Sequence, residues 1–333
     1  MIYVARTVAL VVLLAALVAV VGCSGDPALT SGKVYLGQEN YEAAIEQLHL
    51  AIRNSPGAYE PHLYLGMAYA ETDELEMAHD EFFTALDLAE SENDKETVEN
   101  EITRYWLVYD KQGEQYNEAA QFGEAIGQFE KAIIIDDRKP EAYINLGYAL
   151  HMSGQYDQAV EIFETALEYS PDNEVLIDNL VNVYETKAGN LAAVGNYNEA
   201  LMYFEKIEQI APDQPDLMYN IALMHYQLKQ YRDAISYYNK QLETNEDDKD
   251  VLYRIFLSHW AIAGDLKENG QEELAKDEYS AALVPLLKLV ELEDENVTYH
   301  RALMRVYNEL GQENEALVEV RKIEQLLAGE EGE

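Results

Sequence analysis

The chain has 333 residues, 48% of them apolar, with 63 Asp and Glu against 23 Lys and Arg, a formal net charge of −40. That balance excludes a nucleic-acid binder, which needs clustered cations against phosphate, and argues against a body lying flat on an anionic membrane. The single cysteine excludes a disulfide within the chain and a Cys-rich zinc site.

Residues 1–22 read as a signal peptide. Arg6 supplies the positive start, and Val8 to Val21 form an apolar run of hydrophobic-region length, too short for a comfortable membrane span. The run ends in Val20-Val21-Gly22-Cys23, followed by Ser24-Gly25-Asp26. This resembles the bacterial lipobox and implies cleavage before Cys23 and a thioether-linked lipid on it. The expected location is therefore a cell membrane or outer membrane, lipid-anchored, facing the periplasm or the exterior. Residues 23–26 would form a lipidated start and short tether. Asp26-Pro27 has the form of an N-cap followed by Pro at the first helical position, so a helix is expected at once.

From there the chain repeats itself. The clearest unit holds Tyr143, Leu146, Gly147 and Leu150, then Gly154, Tyr156, Ala159, Phe163 and Ala166, and closes at Pro171. Another copy has His62, Leu65, Gly66, Tyr69, Ala78, Phe82 and Ala85; an earlier one has Gly32, Tyr35, Tyr41, Ala44, Leu48, Ala51 and Pro56. Weaker copies hold Tyr231, Ala234 and Tyr238, then Tyr307, Gly311, Ala316 and Val320. The pattern resembles the tetratricopeptide repeat, a helix–turn–helix of about 34 residues. The resemblance implies an all-α fold, an α-solenoid wound as a right-handed superhelix of about eight units. Laid end to end over 25–330 they are 25–58, 59–92, 93–139, 140–173, 174–214, 215–248, 249–296 and 297–330, followed by an acidic tail at 331–333. No linker divides them, so one solenoid is expected.

Five units have 34 residues, and the third, fifth and seventh are longer by 13, 7 and 14. Seven residues is about two helical turns, so a lengthened helix keeps its apolar face in phase. Val98, Ile102, Tyr105, Tyr109, Gly113, Tyr116 and Ala120 continue the helical spacing without a break, as do Ile177, Leu180, Tyr184, Ala188, Leu191 and Val194. In the seventh unit half of the excess falls after Ala282, where Pro285 is expected to kink or break the helix. The third unit's excess is one residue short of whole turns, and the spacing does not locate the missing one.

The search for chemistry returns little. His49, His62, His79, His151, His225, His259 and His300 make no metal-ligand spacing and read as structural side chains. Asp247-Asp248-Lys249-Asp250 lacks the Gly and terminal Glu of a calcium loop. No nucleophile elbow, P-loop or dinucleotide fingerprint occurs, so neither an enzyme nor a cofactor is expected. Eleven of the 25 tyrosines fall at packing positions of the repeat: Tyr35, Tyr41, Tyr69, Tyr143, Tyr156, Tyr184, Tyr197, Tyr231, Tyr238, Tyr279 and Tyr307.

In the resembled family the first helices line a groove. Carried onto the standard-length units, its positions hold Leu63 and Met67, then Ile144, Tyr148, His151 and Met152, then Tyr219, Leu223, Tyr226 and Gln227. Such residues either meet a partner or pack on the next hairpin. Asn145, Asn179 and Asn220 recur at one position, without the lysines of a carboxylate clamp. Arg301 and Arg305, one turn apart and near Arg321 and Lys322, either form an anion-binding end or neutralise the Glu-rich turns beside them.

The resemblance implies a lipid-anchored interaction scaffold of the cell envelope, serving the assembly or regulation of complexes such as pilus or secretion machinery, barrel assembly or cell-wall enzymes. Its partners would be envelope proteins or peptides with basic or apolar segments. They would be captured by middle and distal units of a body repelled from the anionic leaflet, with 297–330 outermost. The charge alone supports an alternative, divalent-cation binding or salt adaptation, and an enzyme is a remote third reading.

Overall fold

The computed structural model describes residues 25–330. The signal peptide, Cys23 and the tail at 331–333 lie outside the described residues. Sixteen helices and no strand are found among those residues. They form eight hairpins: α1 (Pro27–Gly37) with α2 (Tyr41–Asn54), α3 (Tyr59–Glu71) with α4 (Leu75–Leu88), α5 (Glu92–Glu118) with α6 (Phe122–Ile135), α7 (Pro140–Met152) with α8 (Tyr156–Tyr169), α9 (Glu174–Ala193) with α10 (Tyr197–Ile210), α11 (Leu217–Gln227) with α12 (Tyr231–Leu242), α13 (Lys249–Glu268) with α14 (Glu272–Leu292), and α15 (Val297–Glu309) with α16 (Glu313–Glu330). The hairpins group into two compact units, one through Pro171 and one from Asp172, each an α-solenoid of stacked hairpins.

Local chemistry starts and ends these helices. Asp26 accepts the Ala28 amide at 2.8 Å with Pro27 at the first helical position, and the side chains of Ser91, Asn173 and Asp248 cap α5, α9 and α13 in the same way. Every hairpin turn contains one left-handed residue: Glu39, Asp73, Ala120, Gly154, Gly195, Lys229, Gly270 or Gly311. The repeated left-handed step reverses the chain within three residues and fixes how each second helix leaves its first.

Packing follows from a small residue facing a large one. A Cβ on Gly147 would lie 2.5 Å from the Phe163 ring, and one on Gly113 would lie 2.5 Å from Phe129, so these helices touch at backbone distance. In the second unit buried Ala188, Ala222 and Ala263 stand at the matching place, opposite the repeat's buried Phe204, Tyr238 and Tyr279. None of the eleven packing tyrosines is exposed.

The lengthened helices keep the helical phase. α9 and α13 have 20 residues, against 13 in α7, and α14 has 21 against 14 in α8. α5 has 27 residues, fourteen more than α7. The residue missing from the third unit's excess is Glu92, which already belongs to α5 and leaves the connection at 89–91 one residue shorter than that at 136–139. The first half of α5, with Val98, Ile102, Tyr105 and Trp106, closes the core of the preceding hairpins. Its second half holds α6 through Gly113 and α7 through Asp110, whose Oδ1 accepts from Asn145 at 3.1 Å. The end of α6 therefore meets the start of α4: Lys131 reaches Asp73 at 2.7 Å, and His79 contacts the Ile135 carbonyl at 3.4 Å.

Pro285 does not break its helix. α14 runs on to Leu292, with Pro285 buried beside Ala282, Leu286 and Leu289. Apolar burial on both sides outweighs the one hydrogen bond that the ring denies to the Ala281 carbonyl.

Candidate functional site

α7 begins at Pro140 and presents Ile144, Tyr148, His151 and Met152 from its outer side. Tyr148 is 42% exposed and Met152 47%, one helical turn apart, which makes them the exposed large apolar side chains of that helix. Ile144 and His151 are half-buried. The His151 ring packs edge-on to Tyr156 with centroids 5.6 Å apart, and burial lowers its pKa, so the imidazole is neutral at pH 7.

The other residues of the expected groove lie differently. Leu63 is 3% exposed and sits in the core of the first hairpins, with Met67 packed against that core, so Leu63 has no surface to offer. In the second unit Tyr219 packs on Tyr238 at 5.8 Å and Tyr226 on Tyr231 at 5.3 Å. The Arg254 guanidinium of α13 lies beside Tyr219, Tyr238 and Tyr226, so these two groove tyrosines serve the contact with the next hairpin. Leu223 is half-buried and Gln227 exposed.

A further cavity, of about 290 Å³, lies between α13 and α15 within the second unit. Tyr253, Phe256, Leu257 and Trp260 line one side; Thr298, Arg301, Ala302 and Arg305 line the other. The rings form a chain, Tyr299 to Tyr253 at 5.9 Å, Tyr253 to Phe256 at 5.5 Å and Phe256 to Trp260 at 6.1 Å.

Three of the histidines staple hairpins. His62 and Glu81, His259 and Glu278, and His300 and Glu319 each meet Nδ1 to Oε2 at 2.5–2.6 Å, always nineteen residues apart and always from the first helix to the second. No three or more His, Cys, Asp or Glu side chains gather as a metal site would among the described residues. No helix among them is long and apolar enough to cross a membrane.

Family models described as tetratricopeptide repeat match residues 29–93, 140–173 and 191–253. The chain carries tetratricopeptide repeats. Anaphase-promoting complex subunit 6 of Arabidopsis thaliana is 26% identical over 198 residues, which cover 58% of this chain and 33% of that protein. Small glutamine-rich tetratricopeptide repeat-containing protein 2 of Mycosarcoma maydis is 31% identical over 90 residues, 27% of this chain and 26% of that protein. The chain thus spans a third or less of the length of these relatives. Among solved structures it is similar to YrrB, described as a tetratricopeptide repeat protein with an unusual peptide-binding site, at 21% identity and a TM-score of 0.36 over 60% of this chain and 91% of that one.

Repeat proteins of this kind mediate contacts between proteins. Counting repeat positions over standard-length units finds Tyr148 and Met152. It leaves out Tyr253, Leu257 and Trp260 because it is confined to standard-length units; counted from Lys249, the spacing that gives Ile144, Tyr148 and His151 from Pro140 falls on these three. The available signal was the aromatic run in 253–260 beside the arginine spacing in 301–305.

Proposed function

We propose that this protein is a lipid-anchored interaction scaffold of the bacterial cell envelope, tethered through Cys23 and binding segments of other envelope proteins on the first helices of its repeats. Assembly or regulation of an envelope complex, such as pilus or secretion machinery, barrel assembly or cell-wall enzymes, is the role this suits. The observation that carries the reading is the exposed Tyr148–Met152 pair on α7, a tyrosyl and a thioether group held open to solvent on a helix otherwise packed. Replacing both by Ala is expected to keep helicity and melting temperature while capture of crosslinked partners from native membranes drops, since anchors of this type are worth about 2 kcal/mol or more each. Unchanged capture would defeat the reading. Tyr219→Ala, in contrast, is expected to lower the melting temperature, because Tyr238 and Arg254 lose a packing partner.

The anchor has its own test. Cys23→Ala should release the protein from membranes and abolish labelling by a lipid precursor. Sedimentation of that variant with membranes at high salt would defeat the anchor. The net charge of −40 favours basic or apolar partner segments, steering them chiefly through the association rate.

A further inference from the structure

Arg301 and Arg305 stand one turn apart on α15, both exposed, at the edge of the cavity walled by Tyr253, Phe256 and Trp260. Neither guanidinium has an ion-pair partner among the described residues, in a chain where acids outnumber bases 63 to 23. Four of the acids close by in sequence are engaged elsewhere. Asp294 meets Lys322 at 2.5 Å, Glu293 meets Lys249, Glu309 meets Lys267 at 2.6 Å, and Glu319 meets His300 at 2.5 Å. Lys322 and Lys249 therefore take two of the three acids in the connection before α15, and neither arginine pairs with the third, Glu295.

Two side chains four residues apart on a helix have their Cβ atoms about 5–6 Å from each other, so one carboxylate can take a fork from one guanidinium and a further bond from the other. The aromatic wall keeps water from one side of that contact and strengthens it. At about 290 Å³ the cavity has room for one large side chain with its flanking backbone. We infer that the cavity between α13 and α15 seats a two-residue anchor of a partner protein: an aromatic or large aliphatic side chain against Tyr253, Phe256 and Trp260, and the carboxylate of an adjacent Glu or Asp on Arg301 and Arg305. The inference rests on the proposed partner-binding role of the first helices and names the chemistry that one of them selects. The field of the whole chain repels a uniformly acidic segment, so the anchor sits in a neutral or basic one. Long-range charge governs which segments arrive; the arginine pair fixes which residue docks.

The test uses short fluorescent peptides of Lys and Ser, capped at both ends, carrying a central Phe-Glu, Phe-Gln or Ala-Glu, with anisotropy read on the full chain. Phe-Glu should bind about tenfold or more tighter than either control. In the double variant Arg301→Gln/Arg305→Gln its affinity should fall to that of Phe-Gln, whose own affinity stays where it was. Arg301→Lys/Arg305→Lys should recover part of the difference. Both arginines are exposed, so circular dichroism of the variants should match the parent. Equal binding of Phe-Glu and Phe-Gln, discrimination that survives in the Gln variant, or no binding of any peptide overturns the inference. Tighter binding of a peptide ending in a free Phe carboxylate overturns it in favour of a chain end. A change of sedimentation in the Gln variant overturns it in favour of a second copy as occupant. These failures, with capture through Tyr148 and Met152 intact, strike this inference alone; loss of that capture strikes the reading beneath it.

Discussion

A methyl group added at Gly147 would stand 2.5 Å from the Phe163 ring, whose side chain is fully buried and has nowhere to retreat. Gly147→Ala is therefore expected to cost about 1–3 kcal/mol, read as a lower thermal midpoint, even though Ala is the better helix former. Asp110 tests burial of charge. It is 6% exposed, and desolvation raises its carboxyl pKa, so the folded chain holds that proton more tightly than the unfolded chain does. Its contribution to stability is complete below the unfolded value of about 3.9 and is lost as pH climbs through the higher folded value. Asp110→Asn keeps an oxygen for the Asn145 donor and removes the ionisation. The variant should match the parent in denaturant midpoint near pH 3 and exceed it at pH 7; an equal difference at both would rule out the carboxylate as the cause.

Helices repeat this tension between a local preference and its surroundings. Pro285 opposes α14 through its missing amide, yet the helix continues because its neighbours are buried on both sides. Pro285→Ala restores a hydrogen bond to the Ala281 carbonyl and leaves a small void. A proline inside a helix is about 3 kcal/mol worse than Ala, which exceeds the loss of a few methylenes, so we expect a net gain of about 1–2 kcal/mol by thermal melting. A lower midpoint would mean that the ring's packing dominates. The hairpins themselves were legible in the chain, because apolar residues at spacings of three and four mark them and insertions of whole turns preserve the marks. The continuation through Pro285 was not, since it depends on burial supplied from outside the segment. Leu63 misleads for a related reason: its position in the repeat is a groove position, but its side chain lies among core residues of the first hairpins.

At the scale of the whole molecule, charge dominates. Most of the Lys and Arg ion pairs among the described residues join segments far apart in sequence, as Lys33 to Glu60 at 3.0 Å and Lys288 to Asp247 at 2.7 Å, but they are at least partly exposed and individually weak. The remaining acids repel one another with little to offset them. Raising salt shortens the Debye length from about 30 Å at 0.01 M to about 3 Å at 1 M, so the thermal midpoint should rise over that range. A midpoint that falls would show these ion pairs outweighing the repulsion. This acidity is readable from composition. The grouping into two units at Pro171 and Asp172 is not, because the Pro-Asp-Asn connection there has the same turn-forming character as the Pro-Asp-Gln at 212–214.

The division of α5 between two hairpins bears on inheritance. Repeat arrays commonly lengthen or shorten by whole units, each gain or loss leaving an intact neighbour to stack upon. Here residues 93–139 cannot drop out cleanly, because Val98, Ile102, Tyr105 and Trp106 would leave with them and strip the preceding hairpins of one wall of their core. The smallest heritable module in this stretch is accordingly a pair of repeats joined by a 27-residue helix. Natural variants of the array should gain or lose that pair together, while single-unit changes fall elsewhere in the chain.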